Sequence, residues 1–133
     1  TWMPPGGVES LSPNYRPIGA MLAELESAFE ARPRQDLADT LHIHMLAVHS
    51  DHRGHGIAEG LVSACVGNAA EHGFRRAVTD ATNPSSQREL GRSGFSALSE
   101  IRYASFEFEG QRVFAKIPDA SSNLFMVWVI PPN

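Results

Sequence analysis

Cysteine is almost absent from this sequence: one residue, Cys65, in 133. An internal disulfide is therefore excluded, and the apolar helical neighbours Leu61, Val62 and Ala69 mark Cys65 as a small buried thiol. Long hydrophobic runs are missing too. The longest, Leu124 to Ile130, is seven residues, against the roughly 20 needed to span a bilayer, and no signal-peptide pattern opens the chain. Basic residues are outnumbered, 11 Lys and Arg against 15 Asp and Glu for a net charge of -4. No basic run tracks a phosphate backbone, so nucleic acid is a poor partner and a membrane surface no better. There is no initiator methionine, and Thr1-Trp2 leads directly into Pro4-Pro5-Gly6-Gly7, which reads as a turn, so the natural polypeptide is expected to begin earlier. With 42% hydrophobic and 20% charged residues and no repeat or linker, residues 1–133 are expected to form one domain with a cytoplasmic address.

What is present is a sequence of local signals in an α/β order. From Pro17, the residues Ile18, Met21, Leu22, Leu25 and Phe29 recur at three and four, the stripe of a helix that stops before Pro33. Arg34 to Thr40 reads as a polar connector. Leu41 to Val48 alternates as a strand, with Leu41, Ile43, Met45 and Ala47 on one side and His42, His44, Leu46 and Val48 on the other. A glycine-containing turn, His49 to Gly56, leads into a helix whose stripe is Ile57, Leu61, Val62, Cys65 and Ala69 and whose stop is Gly73. A second strand follows within Arg75 to Ala81, parallel to the first by a right-handed crossover. Asn83 caps a short helix that starts at Pro84 and ends at Gly94. The remainder, Phe95 to Ile130, carries turn signals at Glu109-Gly110 and Pro118-Asp119, which predict two or three antiparallel strands and so a mixed central sheet with flanking helices.

The segment Arg53-Gly54-His55-Gly56-Ile57-Ala58 joins a strand to a helix, where unpaired amides and the positive helix end favour an anion and Arg53 adds charge. In this segment the sequence resembles the acetyl-CoA-dependent N-acetyltransferase superfamily (GNAT). The pyrophosphate loop of that superfamily, Arg/Gln-x-x-Gly-x-Gly/Ala, corresponds to Arg53, Gly56 and Ala58. The resemblance runs from Leu46-Ala47-Val48 through Asn83, Ser86 and Gly94-Phe95, roughly residues 41 to 96. Within it, His42-Ile43-His44-Met45-Leu46-Ala47-Val48-His49 is similar to a strand of the arylalkylamine (serotonin) N-acetyltransferases. The resemblance implies a GNAT-like sheet lacking its usual first strands. Acetyl-CoA would be held by Leu46, Ala47 and Val48 along pantetheine, by the amides of Arg53, Gly54, His55, Gly56, Ile57 and Ala58 at the pyrophosphate, and by Asn83 and Ser86. Acetyl would then pass to a small-molecule primary amine by direct attack.

Chemistry gives the paired histidines a task. An amine of pKa about 10.4 is neutral in roughly one molecule per thousand at pH 7, a handicap of about 4 to 5 kcal/mol for nucleophilic attack. Imidazole is suited to take that proton, so His42 and His44 are the candidate bases. Many family members place a tyrosine four residues before the Gly of Gly-Phe to protonate the departing sulfur. Here that position is Leu90, which leaves Tyr103, or Ser93, as the candidate acid. Two other readings stand beside this one. Loss of the acid fits a non-catalytic acyl-CoA-binding module, and five histidines within fourteen residues (42, 44, 49, 52 and 55) fit a metal-binding strand. Strand edges near Trp2 or in Leu124 to Ile130 would suit a homodimer.

Overall fold

The structure, a computed structural model, describes residues 12–44, 46–117 and 122–131. Helices α1 (Arg16–Glu30) and α2 (Arg34–Ala38) precede strand β1 (Thr40–Ile43). They are followed by α3 (Ile57–Glu71), β2 (Arg76–Ala81), α4 (Pro84–Ser93), β3 (Ser96–Arg102) and β4 (Ser122–Val129). The sheet order is β1-β2-β4-β3. Strands β1 and β2 are parallel, while β4 runs antiparallel to both β2 and β3, so the sheet is mixed as expected.

Alternation along the strands sorts the core into two layers. Ala77 and Ala81 of β2 and Met126 of β4 face α3 and α4, where they bury Val62, Val66, Ala69, Leu90 and Phe95. Their neighbours Val78 and Phe125 face the opposite way and pack on Leu25 and Phe29 of α1. Leu25 and Phe125 are essentially inaccessible to solvent, each burial stabilising by roughly 2–3 kcal/mol. Met21 continues that layer onto Tyr103 and Phe106, beyond the end of β3. Local signals work as read at two places. Asn83 Oδ1 accepts the Ser86 amide at 2.9 Å to open α4, and Glu109 and Gly110, at φ 52° and 79°, form a tight left-handed turn closed by Phe108 and Gln111.

Six expectations need correction. The connector after Pro33 contains α2, whose end ties the sheet together: Thr40 Oγ1 donates to the Asp36 carbonyl at 2.6 Å, and the Arg75 amide donates to Asp39 at 2.7 Å. The first strand is four residues long and does not run to Val48, because pairing stops at Ile43↔Thr79. In α3 the buried stripe is Ala58, Val62, Val66 and Ala69, so Ile57 and Leu61 are exposed. Cys65, one position off that stripe, is an exposed thiol. In α1, Ile18 lies outside the buried arc. Finally, β4 pairs on both sides, so residues 124–130 present no edge for a partner chain; among the described strands the outer ones are β1 and β3. Trp2, Met45 and Pro118-Asp119 lie outside the described residues.

Candidate active site

Where β1 stops, β2 goes on: Asp80 and Ala81 pair with β4 but have no partner on β1. The Thr79 hydroxyl closes the last rung by donating to the Ile43 carbonyl at 2.8 Å. Beyond it β1 makes no further pairs with β2, and a cavity lies on each face of the sheet.

On the α1 face, His42 sits beside Val78, and Asp80 follows two residues further along the same side of β2. Alternation thus brings an imidazole and a carboxylate together. Helix α1 adds Glu26, one turn from Leu22 and three residues from Phe29, which places a carboxyl inside the apolar arc. His42 Nε2 lies 3.7 Å from Glu26 Oε1 and 3.6 Å from Asp80 Oδ2. His44 stacks on His42 with ring centroids 4.2 Å apart. Leu22, Glu26, His42, His44, Asp80 and Thr82 line a cavity of about 160 Å³. Glu26 is 3% exposed. That burial, reinforced by the charge of Asp80 and a hydrogen bond with it, pushes the Glu26 carboxyl up to about 8. Glu26 therefore keeps its proton at neutral pH and the pair carries a single negative charge. Partial desolvation, then the neighbouring His42, holds His44 below the ordinary imidazole value, in its neutral, proton-accepting form. Asp80 Oδ1 is buried without a hydrogen-bond partner.

On the other face, Ile43, Leu46, Ala47, Leu61, Val62 and Cys65 line an open groove of about 290 Å³. Strict alternation would have put Leu46 with the histidines; the end of pairing at Ile43 instead lets Leu46 and Ala47 line the groove beside Ile43. The loop from 49 to 56 ends at Gly56, which caps α3 in the left-handed conformation with no side-chain hydrogen bond. The first-turn amides of α3, from Ile57 and Ala58 onward, have no carbonyl within the helix to accept them. Gly54 and Gly56, at φ +82° and +73°, face open space where a Cβ would be. The loop is braced from within: Arg53 Nε donates to the Val48 carbonyl at 3.3 Å, and His49 Nδ1 accepts the Asp51 amide at 3.1 Å. This exposed, uncapped, positive helix end suits an anion such as a pyrophosphate.

The remaining sequence candidates are placed as follows. Asn83 and Ser86 stand together at the start of α4, where the Asn83 side-chain oxygen is committed to the cap and its amide NH₂ remains to donate. Tyr103 follows β3 directly, is buried, and donates its hydroxyl to the Thr82 carbonyl at 2.7 Å. Burial and then the Asp80 charge raise its pKa, so it holds its proton firmly. Ser93 Oγ is tied to Glu89 of its own helix, and Leu90 is core. The five clustered histidines do not converge: His42 meets Glu26 and Asp80, while His49 meets Asp51. A set that could ligate a metal is Glu26, His42 and Asp80, whose ligand atoms lie within 4.8 Å of one another. Sequence reasoning passed over Glu26 and Asp80. The available signal was Glu26 four residues after Leu22 and three before Phe29, a charge at an apolar position.

Among solved structures the fold is similar to arylalkylamine N-acetyltransferase 2 from Aedes aegypti, with a TM-score of 0.81 and 27% identity over 93% of this chain and 58% of that one. It is similar to the Drosophila melanogaster polyamine N-acetyltransferase, an enzyme that forms N-acetylagmatine (TM-score 0.78, 22% identity, 91% of this chain and 58% of that one). An agmatine N-acetyltransferase also matches (TM-score 0.77, 21% identity, 92% of this chain and 60% of that one). The chain spans about three-fifths of the length of these proteins. No curated protein matches it. The acetyltransferase (GNAT) family model matches residues 13–95, more than half of the chain. That interval takes in the histidine strand, the glycine loop and the Asn83 cap, and the chain belongs to the acetyltransferase (GNAT) family.

Proposed function

We propose that residues 1–133 act as an acyl-CoA N-acyltransferase domain that moves acetyl from acetyl-CoA to a small-molecule primary amine by direct attack. The observation that carries this reading is the end of β1 at Ile43: it sets His42 and His44 against one opening while the chain beyond leads to the uncapped start of α3. Acetyl-CoA supplies the activated acetyl group. The backbone at Leu46, Ala47 and Val48 would hold pantetheine, the amides of Arg53, Gly54, His55, Gly56, Ile57 and Ala58 the pyrophosphate, and Asn83 with Ser86 the arm between them. The open space at Gly54 and Gly56 supports the fit, since any side chain there would project where the anion approaches.

His44, neutral at pH 7, and His42, flanked by two carboxyls, would take the proton that an alkylammonium must lose before its nitrogen attacks. Tyr103 would serve as the acid only by exchanging the Thr82 carbonyl for sulfur. Tyr103→Phe tests that role, and unchanged turnover removes it. The structural neighbours named for arylalkylamines, polyamines and agmatine support an amine acceptor.

The test is calorimetric titration of acetyl-CoA into metal-stripped protein, followed by an amine screen that detects thiol release. One-site binding that Gly56→Val abolishes, together with amine-dependent thiol release, is the expected result. Binding without turnover for any amine would favour the acyl-CoA-binding module, which the buried Leu90 at the usual acid position makes a specific alternative. Absence of binding would overturn the reading.

A further inference from the structure

We propose that Glu26 and Asp80 form the ammonium-receiving wall of the acceptor pocket, positioning the amine as its cation and accepting the first proton it loses. This rests on the reading above and deepens it by assigning a task to two residues outside the histidine strand. Three geometric facts carry it. The carboxyls come from different elements, α1 and β2, and both line the cavity that His42 and His44 line. They flank His42 Nε2 at 3.7 and 3.6 Å, so a proton accepted by either has an imidazole beside it as an exit. Asp80 Oδ1 is buried with an unused lone pair, a costly arrangement unless a donor arrives. A primary ammonium offers three donors and one positive charge on a small group, which matches two carboxyls in about 160 Å³.

The proton balance closes. Transfer of acetyl to an alkylammonium forms the N–C bond, breaks the C–S bond and removes two protons from nitrogen. One ends on sulfur and the other is released to solvent. In the free protein the pair holds one proton on Glu26. Docking of the ammonium expels that proton, because two carboxylates then face one cation. Before attack the ammonium returns a proton to the pair, which leaves a neutral nucleophilic amine, and His42 then passes that proton outward; when the product leaves, the pair takes one proton back from solvent, so each turnover releases one. The groups facing Glu26 are His42 from β1, Asp80 from β2 and Glu30 one turn along α1; His44 and Tyr103 adjoin the cluster. Both carboxylates raise the Glu26 pKa, so an arriving cation shifts it downward.

The experiment titrates phenethylamine and agmatine into the CoA-saturated protein from about pH 6.5 to 9, in buffers of different ionisation enthalpy. The expected result is about one proton released per amine bound near pH 7, with apparent affinity rising about tenfold per pH unit and levelling above about pH 8, one linked proton being a factor of ten per unit. Glu26→Gln is expected to bind without proton release and with a flat profile. Asp80→Asn, which removes one of the charges that raise Glu26, is expected to move the midpoint to lower pH; a purely structural role would leave it in place. Amine binding that is absent, or equally pH-dependent in Glu26→Gln, while acetyl-CoA still binds, overturns this inference alone. Failure of acetyl-CoA to bind in its own titration overturns the underlying reading instead.

Discussion

Glu26→Gln should make the protein more resistant to alkali, and the size of the effect follows from burial. A carboxyl whose pKa rises from 4.5 in the unfolded chain to about 8 in the fold is protonated in the native state where the unfolded state has already lost its proton. The native state thus binds more protons, and stability is lost as pH rises through the folded value. At about 1.4 kcal/mol per pH unit, flattening as the carboxyl ionises, the loss between pH 6.5 and 9 is about 2 kcal/mol. For a chain of this length that is roughly 6–10 °C in Tm. His44 acts with the opposite sign and at lower pH: its depressed value makes stability rise with pH up to about 6.5, so the higher window isolates Glu26. Glutamine keeps the shape and a hydrogen bond to Asp80 without a charge to desolvate. Thermal unfolding followed by circular dichroism across that window should show the parent falling and the variant nearly level. Parallel falls in both proteins would refute the assignment of a buried, neutral Glu26.

Three further expectations concern other parts of the fold. His42→Gln and His44→Gln should each lower kcat/KM for an amine, by about 10²-fold for the principal base, while sparing acetyl-CoA affinity, and the pH–rate profile should lose the limb on the acid side of 6.5 set by His44; an unchanged profile would remove both as bases. Gly94→Ala should cost about 2–3 kcal/mol in urea unfolding, because a Cβ there would lie 2.9 Å from Trp128 Cε2 at a φ of +121°. Asn83→Ala should cost about 1 kcal/mol by loss of the α4 cap, with Asn83→Asp recovering most of it.

Signals written within a few residues were the ones that could be read. Gly56 before α3, Asn83-Pro84 before α4, Gly94 after it and Glu109-Gly110 all act through local backbone geometry, and the structure uses each. Helix α2 escaped because five residues are too few to show a helical period. Alternation in the sequence continues past Ile43 and predicts a strand to Val48, whereas its pairing partner does not follow and the strand ends at Ile43. Cys65 lies one position from the buried Val66 on α3, enough on a 3.6-residue turn to exchange the buried face for the exposed one. Half of the histidine pocket was legible, since His42 and His44 share a strand. Glu26 and Asp80 were not, because they come from elements 16 and 38 positions away from His42, and a lone acid on a helix reads as solvated until something is seen to cover it.

The central place of β4 bears on how the domain is assembled. Its partners are β2, more than 40 residues earlier, and β3, about 20 residues earlier, while β2 pairs with β1 over only four rungs. Closing such loops costs chain entropy before any pairing repays it. A chain emerging in order would therefore hold β1, β2 and their helices as a loosely joined unit, with β3 unpaired, until residues 122–129 arrive and lock both sides at once. Asp80 gains its strand partner, Phe125, only at that step. Completion of the histidine pocket on the α1 face is thus tied to the last of the described strands, and a chain that stopped before residue 122 would leave Asp80 without its strand partner.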